Sequence, residues 1–380
     1  MRITAPTETA PGETRVALVP RSATQLVATG ATVAIQAGAG TAAGITDAAY
    51  SEVGAEVAAD RAALLADADI VVVVRRPDSE FVSHLKRGSI LVGVLEPAGD
   101  PALVRALVDG GITAFRLEAM PRISRAQDMD VLSSMATLAG YHAAVLAAVR
   151  LPRIFPLMMT AAGTITPARA LILGAGVAGL QAIATCRRLG AVVEAFDVRP
   201  AVRDQVESLG ARFVETGVES ETQQDTGGYA RELEADAQAR QAQVLAEHVK
   251  ESDVVISTAQ IPNRKAPILI TADMVATMRT GSVIVDLAAP GGGNCELTRP
   301  DEEVIANGVL ILGPTNLPAS IPGQASQLYS HNATRFLSQV LKDGAVHLDF
   351  DDVVISQTCI THEGKAMGEQ MEALLHGATA

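Results

Sequence analysis

The stretch ALILGAGVAGLQAIATCRRLGAVVEAFD, residues 170–197, decides the fold. Ala170–Leu173 is an apolar run of strand length. Gly174, Gly176 and Gly179 then stand in G-x-G-x-x-G spacing, and a helix-forming segment runs on to Gly190. A further strand, Val192–Phe196, ends in Asp197, eighteen residues past the last of the three glycines. In such a unit the first glycine permits the tight turn, the second lets backbone approach a pyrophosphate, and the third lets helix and strand pack closely. The helix N-terminus offers N–H groups and the positive end of its dipole to phosphates. A glycine-rich strand-to-helix turn alone is also compatible with plain packing. With an acid at the end of the next strand, where it can bond a ribose diol, the arrangement predicts dinucleotide binding. A carboxylate repels a 2′-phosphate, so Asp197 favours NAD(H), and Arg199 is the contrary sign for NADP(H).

Working outward, short apolar runs alternate with helical patterns on both sides. Strands are expected at Ile3–Ala5, Thr32–Gln36, Ile70–Val74, Ile90–Val94 and Thr113–Phe115, with a helix near Ser22–Thr29. Beyond Ala170 the expected strands are Val192–Phe196, Asp253–Ser257, Val283–Asp286 and Val309–Leu312. Such alternation predicts an α/β protein with parallel sheets. An Ala-rich helix over Met135–Val149 carries the chain out of the first part, and FPLMMTAAGTIT, residues 155–166, reads as a hairpin or an extended arm. The polar stretch 219–243 is either a mobile flap or an excursion into a charged helix. A helix is expected from Ser326 to Leu341, then a strand-like piece, Val353–Ile360, and a last helix. The pattern predicts two Rossmann-like domains separated by a cleft. The second, 136–320, is inserted in the first, formed by 1–135 with 321–380.

The 380 residues suit two cores rather than one. Aromatics make up only 3%, with no Trp, so those cores must be built from Val, Ile, Leu and Ala, as buried parallel sheets are. A net charge of −13 argues against a nucleic-acid partner. No secretory leader is expected at the start. The most membrane-like stretch, Ala139–Val149, is shorter than the roughly 20 residues of a spanning helix, so no transmembrane segment is expected. Cys186, Cys295 and Cys359 show no C-x-x-C spacing and the histidines no HExxH pattern, so buried thiols and no metal site are expected.

The segment MPRISRAQDMDVLSS, residues 120–134, sets two Arg, two Asp, one Gln and three Ser between a strand and the long helix. Its bland reading is a solvated loop whose Asp or Ser caps that helix. Placed at the seam between two domains, the same side chains could reach a bound nucleotide.

Met120–Tyr141 (MPRISRAQDMDVLSSMATLAGY), Phe155–Pro167 (FPLMMTAAGTITP), Gly174–Leu189, Thr226–Ala230 (TGGYA) and Val285–Cys295 (VDLAAPGGGNC) together resemble the NAD(H)-binding component of proton-translocating transhydrogenases. The resemblance runs over essentially the whole chain. It implies that Arg122, Asp130 and Ser133 position the nicotinamide carboxamide and its surroundings, and that Gln127 reaches towards NADP(H) on a partner subunit. It assigns Gly174, Gly176, Val177 and Gly179 to the pyrophosphate and Asp197 to the adenosine ribose, with Val198 and Arg199 among the cofactor-binding residues. Gly228 and Tyr229 fall in the family's mobile loop, and Gln241 and Gln260 line the site. It further implies a homodimer, in which 155–162 is a candidate for crossing between protomers, and separate NADP(H)-binding and membrane-spanning subunits. The location implied is peripheral, on the cytoplasmic face of a bacterial inner membrane.

The wider group includes alanine dehydrogenase, which shares the pattern GETRVALVP around Arg15. There the catalytic Lys falls on Arg75, the catalytic His on Glu96, and an Asp on Pro290. A guanidinium stays protonated and is a poor proton shuttle, so amino-acid oxidation is not expected. Hydride exchange between two nicotinamides needs only their C4 atoms brought to roughly 3–3.5 Å and water excluded. A nucleotide-sensing module without chemistry is a further alternative that the site residues leave open.

Overall fold

A computed structural model describes residues 1–216, 235–260, 264–342 and 344–376. It divides into two compact units, 1–135 with 318–380, and 136–317.

The first unit opens with β1 (Arg2–Ala5), β2 (Thr32–Gln36), β3 (Glu56–Ala58), β4 (Ile70–Arg75), β5 (Ile90–Val94) and β6 (Thr113–Arg116). The long helix Val131–Arg150 follows, then the hairpin β7 (Met158–Thr160) and β8 (Gly163–Ile165), so the 155–166 segment takes the hairpin form. The second unit is built on β9 (Arg169–Leu173), β10 (Val192–Phe196), β11 (Arg212–Phe213), β12 (Val254–Ser257), β13 (Val283–Asp286), β14 (Glu303–Ala306) and β15 (Val309–Leu312). The chain closes with helix Pro322–Val340, the small hairpin β16 (Leu341–Lys342) and β17 (Ala345–Val346), then β18 (Cys359–His362) and β19 (Lys365–Ala366).

The first sheet has the order β19-β18-β6-β5-β4-β1-β2-β3 and the second β11-β10-β9-β12-β13-β15-β14. In each, strand order reverses beside one strand. β1 lies between β2 and β4, and β9 lies between β10 and β12. The crevice outside the carboxyl ends of the strands at such a reversal is where α/β sheets take ligands. Central strands are β-branched runs buried on both faces, as in Ile70–Val74, which suits a sheet covered by helices.

Three expectations need correction. The sheets are not wholly parallel, because β14 pairs antiparallel with β15, and β18 antiparallel with β6 and with β19. The strand-like piece 353–360 is mostly helix, Val353–Thr358. Asp352 caps it by accepting from Val354 N at 2.8 Å, and that cap outweighs the strand preference of the Val-Val-Ile run. The third concerns the apolar stretch before Arg150, which belongs to a helix of twenty residues, long and apolar enough by length and composition to cross a membrane. Its Ala143, Ala144 and Ala147 are nevertheless fully buried in the second unit's core.

Candidate functional site

β9 delivers the chain into the glycine turn at the second sheet's strand-order reversal. Gly174 has φ +95°, and a Cβ there would lie 2.7 Å from Thr258 Oγ1 and 3.2 Å from Ala259 N, so only glycine fits. Gly179 lies so close to the Gly174 carbonyl oxygen that a Cβ would overlap it. A Cβ on Gly176 would meet nothing within 4 Å. The backbone there faces open space, which is the room a pyrophosphate needs. Helix Val177–Arg188 starts at Gly176 with no side-chain cap, and Val177 in its first turn is 44% exposed despite being apolar. An N-terminus without a capping oxygen leaves backbone donors for an external anion. The turn therefore fits a dinucleotide phosphate.

Asp197 is buried beside this turn. Its Oδ2 accepts from Ala175 N at 2.8 Å and from the Arg199 guanidinium at 2.8 Å, and its Oδ1 accepts from Arg199 N and Nε, both at 2.9 Å. Arg199, read from sequence as a sign for a 2′-phosphate, is engaged with the acid itself. The carboxylate is thus fully used by protein donors, so any external hydroxyl would have to replace one of them. Val198 is half-buried against the apolar cluster on its side of the sheet. Gln241, on helix Ala235–Glu251, is buried, and its Oε1 has no hydrogen-bond partner among the described residues. Gln260 is exposed and donates from Nε2 to Leu287 O at 2.9 Å. Gly228 and Tyr229 lie outside the described residues.

Four residues that hold the turn were not singled out from sequence. Thr258 donates to the Gly174 carbonyl at 3.1 Å. Gly140, on the long helix, meets the Ala178 carbonyl so closely that any Cβ would collide with it. Asp286, fully buried at the end of β13, accepts from Ser257 Oγ, Ala288 N, Asn294 N, Cys295 N and Thr298 Oγ1. Asn294 in turn clamps Ala259 through both its N–H and its carbonyl, at 3.0 and 2.9 Å. The G-G-G-N run after Asp286 is the signal that could have exposed this support.

The loop preceding the long helix, in the first unit, is anchored from below. Ala126 and Met129 are buried, Arg125 forms a bidentate pair with Asp352 at 3.0 and 2.5 Å, and Asp128 meets Arg335 Nε at 2.6 Å. Asn332 Nδ2 donates to the Asp128 carbonyl at 2.7 Å. Asp130 accepts from Ser133 N at 2.9 Å and from Ser133 Oγ at 2.6 Å, so it caps the helix, which is its bland reading. Arg122 and Gln127 are exposed.

At the carboxyl ends of β4 and β5 the first unit holds its own acids. Glu8 accepts from Val74 N at 2.6 Å and Arg75 N at 3.0 Å, and Glu118 from Glu96 N at 2.7 Å and Leu95 N at 3.1 Å. Loss of solvent pushes the Glu8 carboxyl up to about 7 and raises that of Glu118. Arg15 is buried in a two-bond pair with Glu13, at 2.7 and 2.6 Å. The three cysteines are buried, and burial pushes the thiols of Cys186 and Cys359 up to about 12, which leaves neither as a nucleophile.

The alanine dehydrogenase/PNT N-terminal domain matches residues 4–139 and its C-terminal domain residues 143–369. The first part of NAD(P) transhydrogenase subunit alpha from Rhodospirillum rubrum is 45% identical over 372 residues, covering 96% of this chain and 97% of that protein. The alanine dehydrogenase of Mycobacterium tuberculosis is 30% identical over 381 residues, covering 98% and 96%. The crystal structure of transhydrogenase from Sinorhizobium meliloti superposes with a TM-score of 0.85 at 39% identity, covering 97% of this chain and all of that one.

Proposed function

The chain belongs to the alanine dehydrogenase/PNT family, and we propose that within it this is the NAD(H)-binding component of a proton-translocating transhydrogenase. It exchanges hydride between NAD(H) on this chain and NADP(H) on a partner subunit, in an assembly whose membrane-spanning part moves protons. The observation that carries the reading is the open backbone at Gly176, leading into an uncapped helix beside the buried Asp197.

Bound nicotinamide supplies the hydride chemistry, and the chain's residues bind and orient. The turn Gly174–Gly179, with Val177, holds the pyrophosphate. Asp197 takes the adenosine ribose as Arg199 gives up one of its bonds, with Val198, Gln241 and Gln260 beside the nucleotide. Arg122, Gln127, Asp130 and Ser133 serve the dihydronicotinamide end, and Gly228 and Tyr229 are assigned to nucleotide binding. Oxidation of an amino acid would need a free cation for its carboxylate and a group to shuttle the proton. Arg15 is already taken by Glu13, and the donors at Val74 and Arg75 are taken by Glu8, which favours the transhydrogenase reading.

The hairpin Met158–Ile165 is apolar and exposed, with Met159 77% exposed. Such a ribbon is suited to self-association and supports a homodimer; the location that goes with this reading is the cytoplasmic face of a bacterial inner membrane, beside the partner subunits. The test mixes the chain with an NADP(H)-binding partner subunit and follows hydride transfer from NADPH to the acetylpyridine analogue of NAD⁺. Transfer is expected. Nucleotide binding with no transfer would replace the proposal by a sensing module, and NADH loss dependent on pyruvate and ammonia would replace it by alanine dehydrogenase.

A further inference from the structure

A cavity of about 640 Å³ opens at the amino-terminal edge of the first sheet, lined among others by Asp69, Lys86, Arg87, Ser89, Ile90 and His362. Asp69, Ser89 and Thr113 stand where β4, β5 and β6 begin, so this is the sheet edge opposite to the one closed by Glu8 and Glu118. Its size is within the range of about 300–1,000 Å³ for small-molecule sites.

The lining is rich in donors. Ser89 is 2% exposed, and its Oγ has no hydrogen-bond partner among the described residues. A buried hydroxyl without a partner is unfavourable, and an arriving acceptor would relieve it. Arg87 donates to the Asp109 carbonyl at 3.1 Å, and its guanidinium lies across Gly111, where a Cβ would be 3.1 Å from its central carbon. His362 shares a hydrogen bond with Thr113 Oγ1 through Nδ1 at 3.0 Å and packs on the Phe350 ring with centroids 4.9 Å apart. Its Nε2 lies 4.0 Å from the largely exposed Glu363. The other acid, Asp69, is already met by Lys86 Nζ at 2.7 Å and Arg2 N at 2.8 Å. Ile90 and Leu348 supply an apolar wall.

We propose that this cavity is a second ligand site of the chain, separate from the nucleotide turn, for a small organic oxyanion. Its head accepts from Arg87, Ser89 and His362, and its short carbon body lies on Ile90 and Leu348. An arginine with a neighbouring hydroxyl suits either a phosphate or a carboxylate head.

Calorimetric titration of the full chain with glycerol 3-phosphate and, separately, with malate tests this. Binding of at least one probe is expected, and the preferred probe identifies the head group. Arg87→Gln should weaken that binding about tenfold, the usual consequence of losing a charge-assisted hydrogen bond. Ser89→Ala should keep the fold and its Tm without probe but lose most of the probe-dependent rise in Tm. NADH affinity, read by cofactor fluorescence, should be the same with and without probe and in both variants. The proposal is overturned if neither probe binds at tens of millimolar, if Arg87→Gln binds like the original chain, or if the probe displaces NADH.

Discussion

At the strand-order reversal of the first sheet, between β1 and β4, the chain lays its own Glu8 carboxylate across the N–H groups of Val74 and Arg75. At that of the second sheet, on β9, it leaves glycine backbone and an uncapped helix. Both crevices are of the kind that α/β sheets use for ligands. The sequence distinguishes them in what faces the crevice: at one, an internal acid covers two backbone donors, and at the other the backbone at Gly176 is left bare. An anion-binding edge can be silenced without altering the sheet, simply by supplying an acceptor from within. The Arg15–Glu13 pair does the same to a cation that could have held a substrate carboxylate.

The most direct way to abolish the contrast is to fill the second crevice. Gly179→Ala forces a methyl into the Gly174 carbonyl; overpacking of this kind typically costs about 1–3 kcal/mol or more. Urea unfolding should show that loss, and NADH fluorescence titration should show binding reduced beyond measurement.

Next in size is the acid that closes the first crevice. Its carboxyl titrates at 4.5 when solvated and at about 7 in place. Because the folded value is the higher one, its contribution to stability is complete below 4.5 and is lost as the pH climbs to about 7. The total is at most about 3 kcal/mol. Unfolding free energy should therefore fall between about pH 5 and pH 7.5, and Glu8→Gln should flatten that fall.

Asp197→Ala should weaken NADH binding about tenfold to a hundredfold, the worth of a charge-assisted bond to the ribose. The discrimination against NADPH should shrink at the same time, with Arg199 released from the acid. Smallest is Asp130→Ala, which removes a helix cap and should lower stability by about 1 kcal/mol in thermal unfolding.

The second sheet's glycine turn was readable because its determinants are local. The three glycines, the following helix and Asp197 lie within 24 residues of one another, and the spacing itself states the turn. The first sheet's closure was not readable. Glu8 and Val74 are 66 residues apart, and the groups Glu8 satisfies are backbone N–H, which carry no sequence signature. The loop before the long helix shows both cases at once. Its polarity was evident, yet its anchors Asp352, Arg335 and Asn332 come from more than 200 residues downstream. β14 was missed because its Glu-Val-Ile-Ala sequence is half-exposed edge strand with no continuous apolar run. The 353–358 helix was misread because a capping Asp decides the local conformation against three β-branched residues in a row.

Gly140 against the Ala178 carbonyl is a contact of main chain on main chain, with no side chain between the helices at that point. Side chains yield to small shifts by changing rotamer, whereas bare backbone has nothing to yield with. A sub-ångström slide of the twenty-residue helix therefore arrives undamped at the first turn of its neighbour, whose amides have no side-chain cap. The two helices behave as a key and its lock-plate, and the alignment of those amides is set as much by residue 140 as by the glycines that precede them.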